Sequence, residues 1–192
     1  MTVRMALPPA VRGILAAALL VCAGAMWSLL PTKLQSWAPI DVHGQLGQRI
    51  TGRDIAVTVA RTYLARAVTA KSPNGLNVFS TKGVWLVMMV SYEPLFTPQS
   101  PHFDLRVGDS TYDTNLSGFH SMVQPGMPLS SPMAFELPTT PTSATLLVSN
   151  VRVESSMAEM DTAPLDSRVA VDMSLSGLVP VASLNLDELA DR

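Results

Sequence analysis

Residues 13–32, GILAAALLVCAGAMWSLLPT, run twenty positions without a charge, with Arg12 before them and Lys33 after. An apolar helix of that length rises about 30 Å, which matches the hydrocarbon core of a bilayer. The run is therefore expected to be a transmembrane signal-anchor, with residues 1–12 as a cytoplasmic n-region. Trp27 suits the membrane interface and Pro31 is a natural helix end. Arg4, Arg12 and the terminal amine precede the run, whereas Lys33 alone stands just after it. The positive-inside bias then predicts a cytoplasmic N-terminus and an extracytoplasmic remainder. Ala23-Gly24-Ala25 also offers an A-x-A cleavage site, so a cleaved secreted form is the alternative. Apolarity that continues through Met26, Trp27, Leu29 and Leu30 argues for the anchor. Cys22 follows a branched Val21, where a lipoprotein signal takes a small residue, and reads better as a small apolar helix residue.

No second run is long enough to span; the next, residues 84–90, has seven residues. About 145 residues remain outside, enough for one domain with its own core. Cys22 is the only cysteine, so a disulfide scaffold and a Cys-ligated metal site are excluded there. All fifteen acidic residues lie beyond Lys33, against ten basic ones. Residues 49–82 hold six basic and one acidic residue, and residues 154–191 hold eight acidic and one basic. In a folded sandwich these can face each other across a surface. A nucleic-acid role lacks the concentrated basic patch it requires.

Beyond the membrane the chain reads as strands. Residues 34–47, with Pro39, Gly44 and Gly47, keep no period and read as a stalk. Ile55, Val57 and Val59 alternate with small or polar neighbours, then the phase slips near Arg61-Thr62. A bulge or a break between two strands explains such a slip. Gly83 opens VWLVMMV, apolar on both parities, as a central strand covered on both faces requires. Phe103, Leu105 and Val107 alternate, and Gly108-Asp109 turns the chain back through Thr111 and Tyr112. Met133, Phe135 and Leu137 form another strand pattern. Thr145, Leu147, Val151 and Val153 are expected in a late pair, and Val169, Val171, Met173 and Leu175 alternate again. Short strands between proline-rich loops predict an all-β fold, an immunoglobulin-like β-sandwich preceded by one N-terminal transmembrane helix.

The succession GRDIAVTVARTYLARAV, GVWLVMMVSYEP, FDLRVGDSTYDTN, PGMPLSSPMAFELP and ATLLVSN resembles the telokin-like immunoglobulin-like extracytoplasmic domains of bacterial membrane-anchored or secreted proteins. The likeness covers residues 53–150 at the level of pattern. It departs at Tyr92-Glu93-Pro94, where a strand-ending Asn is usual. It implies location and fold; most such domains carry no assigned chemistry.

Motifs for catalysis are missing from the sequence: no G-x-S-x-G, H-E-x-x-H, P-loop or G-x-G-x-x-G occurs. His43, His102 and His120 fall in the expected stalk and two loops. Asp109, Asp113 and Asn115 lack EF-hand spacing and read as an Asp-rich turn. Asn115-Leu116-Ser117 fits a glycosylation sequon, a pattern short enough to arise by chance. His120-Ser121-Met122 resembles the His-x-Met element of extracytoplasmic copper-binding sandwiches, since imidazole and thioether suit Cu(I). Met127 and Met133 lie nearby. The upstream partners would be Met88 and Met89, with no adjacent histidine.

The expected organisation is a cytoplasmic n-region over 1–12, a signal-anchor over 13–32, a stalk over 33–47, a β-sandwich over 48–178 and an acidic tail over 179–192. The expected function is a non-enzymatic accessory, scaffold or binding module of an envelope complex. Its partners are the membrane and a protein of the envelope, with no nucleic acid and no small-molecule substrate. No catalytic, cofactor-binding or metal-ligating residue is assigned. The alternative is an extracytoplasmic copper-binding carrier using His120 and Met122. The expected contact surfaces are the loops 93–102 and 121–132, which offer Phe96, Met122 and Met127 as apolar anchors unless these fold back onto the core.

Overall fold

The computed structural model describes residues 8–28, 39–72, 75–119, 121–150 and 167–190. The chain divides into two units, Met1–Ala38 and Pro39–Arg192. The first contains helix α1 (Pro9–Ser28), with proline at its opening position. Arg12 lies inside it, so its charge-free part, 13–28, rises only about 24 Å. Among the described residues, no helix is long and apolar enough to cross a membrane. Residues 29–32, which would complete the expected run, lie outside the described residues, as does 33–38 of the expected stalk.

The second unit is a β-sandwich. Its strands are β1 (Ile40–Gln45), β2 (Arg49–Thr51), β3 (Ile55–Ser72), β4 (Gly75–Pro94), β5 (His102–Val107) and β6 (Ser110–Asp113). They continue with β7 (Leu116–Ser117), β8 (Leu129–Leu137), β9 (Ser143–Ser149), β10 (Ser167–Ser174) and β11 (Leu184–Asn185). One sheet has the order β1-β10-β9-β5-β6. The other has β11-β3-β4-β8-β7, with β2 also paired to β3. Most neighbours are antiparallel; β1 on β10 and β11 on β3 are parallel.

Alternation decides which side chains meet between the sheets. Ile55, Val57 and Val59 of β3 face Leu105, Leu146, Val169 and Val171 of the opposite sheet in one buried cluster. The phase slip is a bulge: β3 continues through register shifts at Val59/Arg61 and again at Ala65/Ala67. The first shift keeps Leu64 in the core despite its changed parity, and the second sends Val68 to the outer face. The apolar run of β4 lies between β3 and β8 and is covered on both faces. Val84, Leu86, Met88, Val90 and Tyr92 point into the core, while Trp85 and Val87 form an outer cluster. Gly83 is required where it stands, because a Cβ there would overlap the backbone carbonyl oxygen of Leu137. Gly108, at φ 58, makes the turn from β5 to β6.

Two expected boundaries are corrected. The stalk does not run to residue 47, because 40–45 is strand β1 in register with β10. Val42 packs on the core, and Asp41 takes a two-pronged bond from Arg168, 2.7 Å from Nε and 2.9 Å from Nη2. Glycines and alternating polar groups hid this edge strand. The acidic tail is likewise structured: β11 leads into a short helix, α2 (Leu186–Ala190). Asn185 caps it by accepting the Asp187 N–H at 3.1 Å, and Glu188 accepts from Asn185 Nδ2 at 3.0 Å. Asp187 Oδ2 also accepts the Lys71 N–H at 2.8 Å, fixing α2 against β3. Leu186 and Leu189, each 6% exposed, cover Trp85, Val87 and Ala134. In β9 the core-facing residues are Ala144, Leu146 and Val148, the parity opposite to Thr145 and Leu147; Val151 and Val153 lie outside the described residues.

Candidate functional site

Two proline-rich loops meet at one end of the sandwich. Between β4 and β5, Gln99 pairs with Val123 of the β7–β8 loop through both backbone bonds, 3.1 Å from the Gln99 N–H and 2.8 Å from the Val123 N–H. Gly126, at φ 72, donates to the Pro94 carbonyl at 3.2 Å. The loops therefore form one platform rather than two free tips.

A polar cluster supports it from below. Asp54, at the start of β3, accepts the Phe96 N–H at 3.2 Å, Gln99 Nε2, and Asn150 Nδ2 at 3.5 Å. Its own carbonyl accepts the Leu95 N–H at 2.8 Å. Asn150 in turn accepts the Tyr92 hydroxyl at 2.8 Å. Burial, and secondarily the Asp54 charge, hold the Tyr92 phenol well above its ordinary range, so it stays a donor. Tyr92, Phe103 and Phe119 pack ring against ring beneath the loops, with centroids 5.0–6.4 Å apart.

Val123 and Phe119 turn inward, while three apolar side chains of these loops project outward. Phe96 is 73% exposed, Met127 66% and Met122 60%. The expected anchors do not fold back onto the core.

The titratable groups are placed differently. His43 is in β1, not in a stalk, and its Nδ1 lies 3.0 Å from Asp172 Oδ2. Thr145 donates to Asp172 Oδ1 at 2.7 Å. Burial pushes the Asp172 carboxyl up, but the bonds from His43 and Thr145, with the charges of His43 and Arg106, bring it below its usual range. His102 opens β5, and its Nε2 lies 3.2 Å from Asp104 Oδ1. Asp113 stands opposite Asp104 across the ladder, so three donor atoms of His102, Asp104 and Asp113 lie within 4.8 Å of one another. The sequence offered a cue in His102-x-Asp104, since residues i and i+2 of a strand share a face. The His102 bond is the largest influence keeping the Asp104 carboxyl low, and the Arg168 charge adds to it. That group lies on the outward face of the first sheet, within reach of the Arg168 charge. A cation there would meet the Arg168 charge. Asp109 stays in its turn, and Asn115 Oδ1 accepts the Glu136 N–H at 2.9 Å.

For copper, His120 lies outside the described residues. Met88 and Met133 are fully buried in the core and cannot reach an ion beside Met122 without unpacking. A groove of about 850 Å³ between β6 and the β4–β8 pair, lined by Thr81, Lys82, Tyr112, Asp113 and Glu136, is open and mixed in polarity.

No family model matches the chain, and no curated protein matches it. Among solved structures it is similar to the yjhA protein from Bacillus subtilis, at 13% identity and TM-score 0.47, over 67% of this chain and 99% of that one. It is also similar to an uncharacterised β-sandwich protein from Clostridium difficile 630, at 11% identity and TM-score 0.43, over 74% of this chain and 99% of that one. At those identities and TM-scores neither neighbour bears on what this chain does.

Proposed function

We propose that the protein is a single-pass membrane protein, N-terminus in the cytoplasm, whose extracytoplasmic β-sandwich binds an envelope component and is not an enzyme. The observation that carries the binding reading is the platform: three large apolar side chains held outward on loops tied together by backbone bonds. Rigid loops lose less entropy on binding than free ones, and exposed apolar groups gain from being covered. The charge-free run 13–32 and the arginines before it support the anchor. The described histidines, each engaged with a carboxylate on an outward sheet face, favour binding over catalysis. The order β5-β9-β10 is the arrangement immunoglobulin-type sandwiches give their C, F and G strands, which supports a telokin-like relation. The other sheet agrees: β3-β4-β8-β7 is the A-B-E-D order, with β4 as B paired directly to β8 as E.

Tethering raises the effective concentration of the domain at the membrane to roughly the mM range for short linkers. Complementation of a deletion strain tests the reading. Single alanines at His43, His102, His120 and Asp109 are expected to retain function, and a secreted form lacking the anchor is expected to lose it. Loss of function in one of those alanines, with the domain still folded, would replace the binding module with an enzyme or a metal site.

A further inference from the structure

The end that carries the platform is also the end at which the chain enters the sandwich. Ile40, the first residue of β1, is in register with Ser167, the first of β10. Ser149, closing β9, is in register with His102, and Ile55 with Pro94. Tyr92, near the end of β4, is in register with Leu129, the first residue of β8. These strand ends form one rim, and Phe96, Met122 and Met127 project from its loops. Ile40 adds a fourth apolar side chain there, 62% exposed.

Ten residues, 29–38, join the last residue of α1 to Pro39, and ten residues reach at most about 35 Å. With residues 13–32 as the anchor, that length bounds how far Ile40 and its rim can lie from the bilayer. The rim is chemically suited to it: residues 94–101 and 121–128 contain no Asp, Glu, Lys or Arg, so no charge must be desolvated when they approach lipid. Phenylalanine and methionine supply apolar area that adapts to the headgroup–acyl boundary.

We propose that the platform rests on the lipid bilayer itself, with Phe96, Met122, Met127 and Ile40 inserted at the headgroup–acyl boundary. This names the partner of the site proposed above and rests on the membrane-anchor reading of residues 13–32. The contact is apolar rather than electrostatic. Residues 94–101 and 121–128 carry no Lys or Arg to attract an anionic headgroup, so these loops gain nothing from anionic lipid. Uncharged phosphatidylcholine suffices.

The test uses full-length protein in phosphatidylcholine vesicles and takes advantage of the single cysteine, Cys22, which is exposed. A fluorophore is placed on native Cys22, or on Met127→Cys or Asp109→Cys in a Cys22→Ser background. Nitroxide-labelled lipids then report contact by quenching. The expected result is quenching at 22 and at 127 but not at 109, in the β5–β6 turn. Phe96→Asp with Met122→Asp is expected to abolish quenching at 127 while leaving it at 22 and leaving the β-type circular dichroism unchanged. Quenching at 22 without quenching at 127 would overturn the lipid contact and leave the platform to a protein partner. Absence of quenching at 22 would overturn the anchor, and the lipid contact with it. Quenching at 127 that survives the double aspartate substitution would remove the named side chains from the contact.

Discussion

Truncating Leu189 to alanine tests whether the C-terminal helix is part of the fold. Its side chain is 6% exposed and packs with Leu186 against Trp85, Val87 and Ala134. The change removes three carbons, at about 0.8 kcal/mol each, so the transfer loss is about 2.4 kcal/mol. The cavity contribution is small, because a five-residue helix at the end of the chain can settle toward the gap. The expected destabilisation is therefore about 2–3 kcal/mol, near the low end for a buried leucine. For a domain of this size it lowers Tm by roughly 5–10 °C. Leu186→Ala is expected to cost about the same, and the double variant less than twice as much. Once one leucine is lost and α2 lifts, the second has little left to hold. Trp85 is the local reporter, read after Trp27→Phe and Trp37→Phe remove the other two tryptophans. Its emission is expected to shift to longer wavelength in Leu189→Ala. Urea unfolding followed by this emission measures the stability change. If neither the midpoint nor the emission moves, α2 is not docked and the outer cluster is not part of the folded unit.

Tyr92→Phe keeps the buried ring and removes the hydroxyl bond to Asn150; it is expected to cost about 1 kcal/mol, read as a drop in Tm of a few degrees. Gly83→Ala sets a methyl group against the Leu137 carbonyl and is expected to cost at least about 3 kcal/mol, with loss of soluble folded protein as the readout. Asp104 is held below its ordinary value, so its contribution is full above the unfolded value near pH 4 and fades as pH falls through the lower folded value. The denaturation midpoint of the wild type is then expected to fall more steeply between pH 5 and pH 3 than that of Asp104→Asn; equal slopes would remove the His102–Asp104 bond from the account of acid stability.

Period-two alternation made much of the sandwich legible, because one buried face per strand leaves that mark in the sequence. The doubly apolar run after Gly83 announced a strand covered on both sides, and the structure supplies the second cover in α2. What covered it was not legible. Its leucines sit among Asp187, Glu188 and Asp191, and acidic composition over so short a stretch reads as a solvated end. The edge strand β1 was hidden for a similar reason: only Val42 packs on the core, and the Asp41–Arg168 contact spans 127 residues. The platform's anchors were readable as residue types, since Phe96, Met122 and Met127 stand out in proline-rich loops. Their fusion by the Gln99–Val123 bridge, and the Asp54–Asn150–Tyr92 support beneath it, depend on long-range contacts that no local pattern carries. The same holds for His102, Asp104 and Asp113, which only the β5–β6 register brings together.

The parallel pairing of β1 with β10 sets the order in which the molecule can be completed. β3 and β4 are separated by two residues of sequence and can zip as soon as both have emerged, since closing so short a loop costs little entropy. The other sheet cannot: its first strand waits for residues 167–172, more than 120 positions later. A chain delivered from its N-terminus therefore holds residues 40–45 unpaired until nearly all of it has arrived. Until then the core over the hairpin lacks Val169, Val171 and Met173, and the incomplete sandwich is exposed to chaperones and proteases. The polar, glycine-containing sequence of β1, unpromising as a strand, suits a segment that must wait in water for its partner.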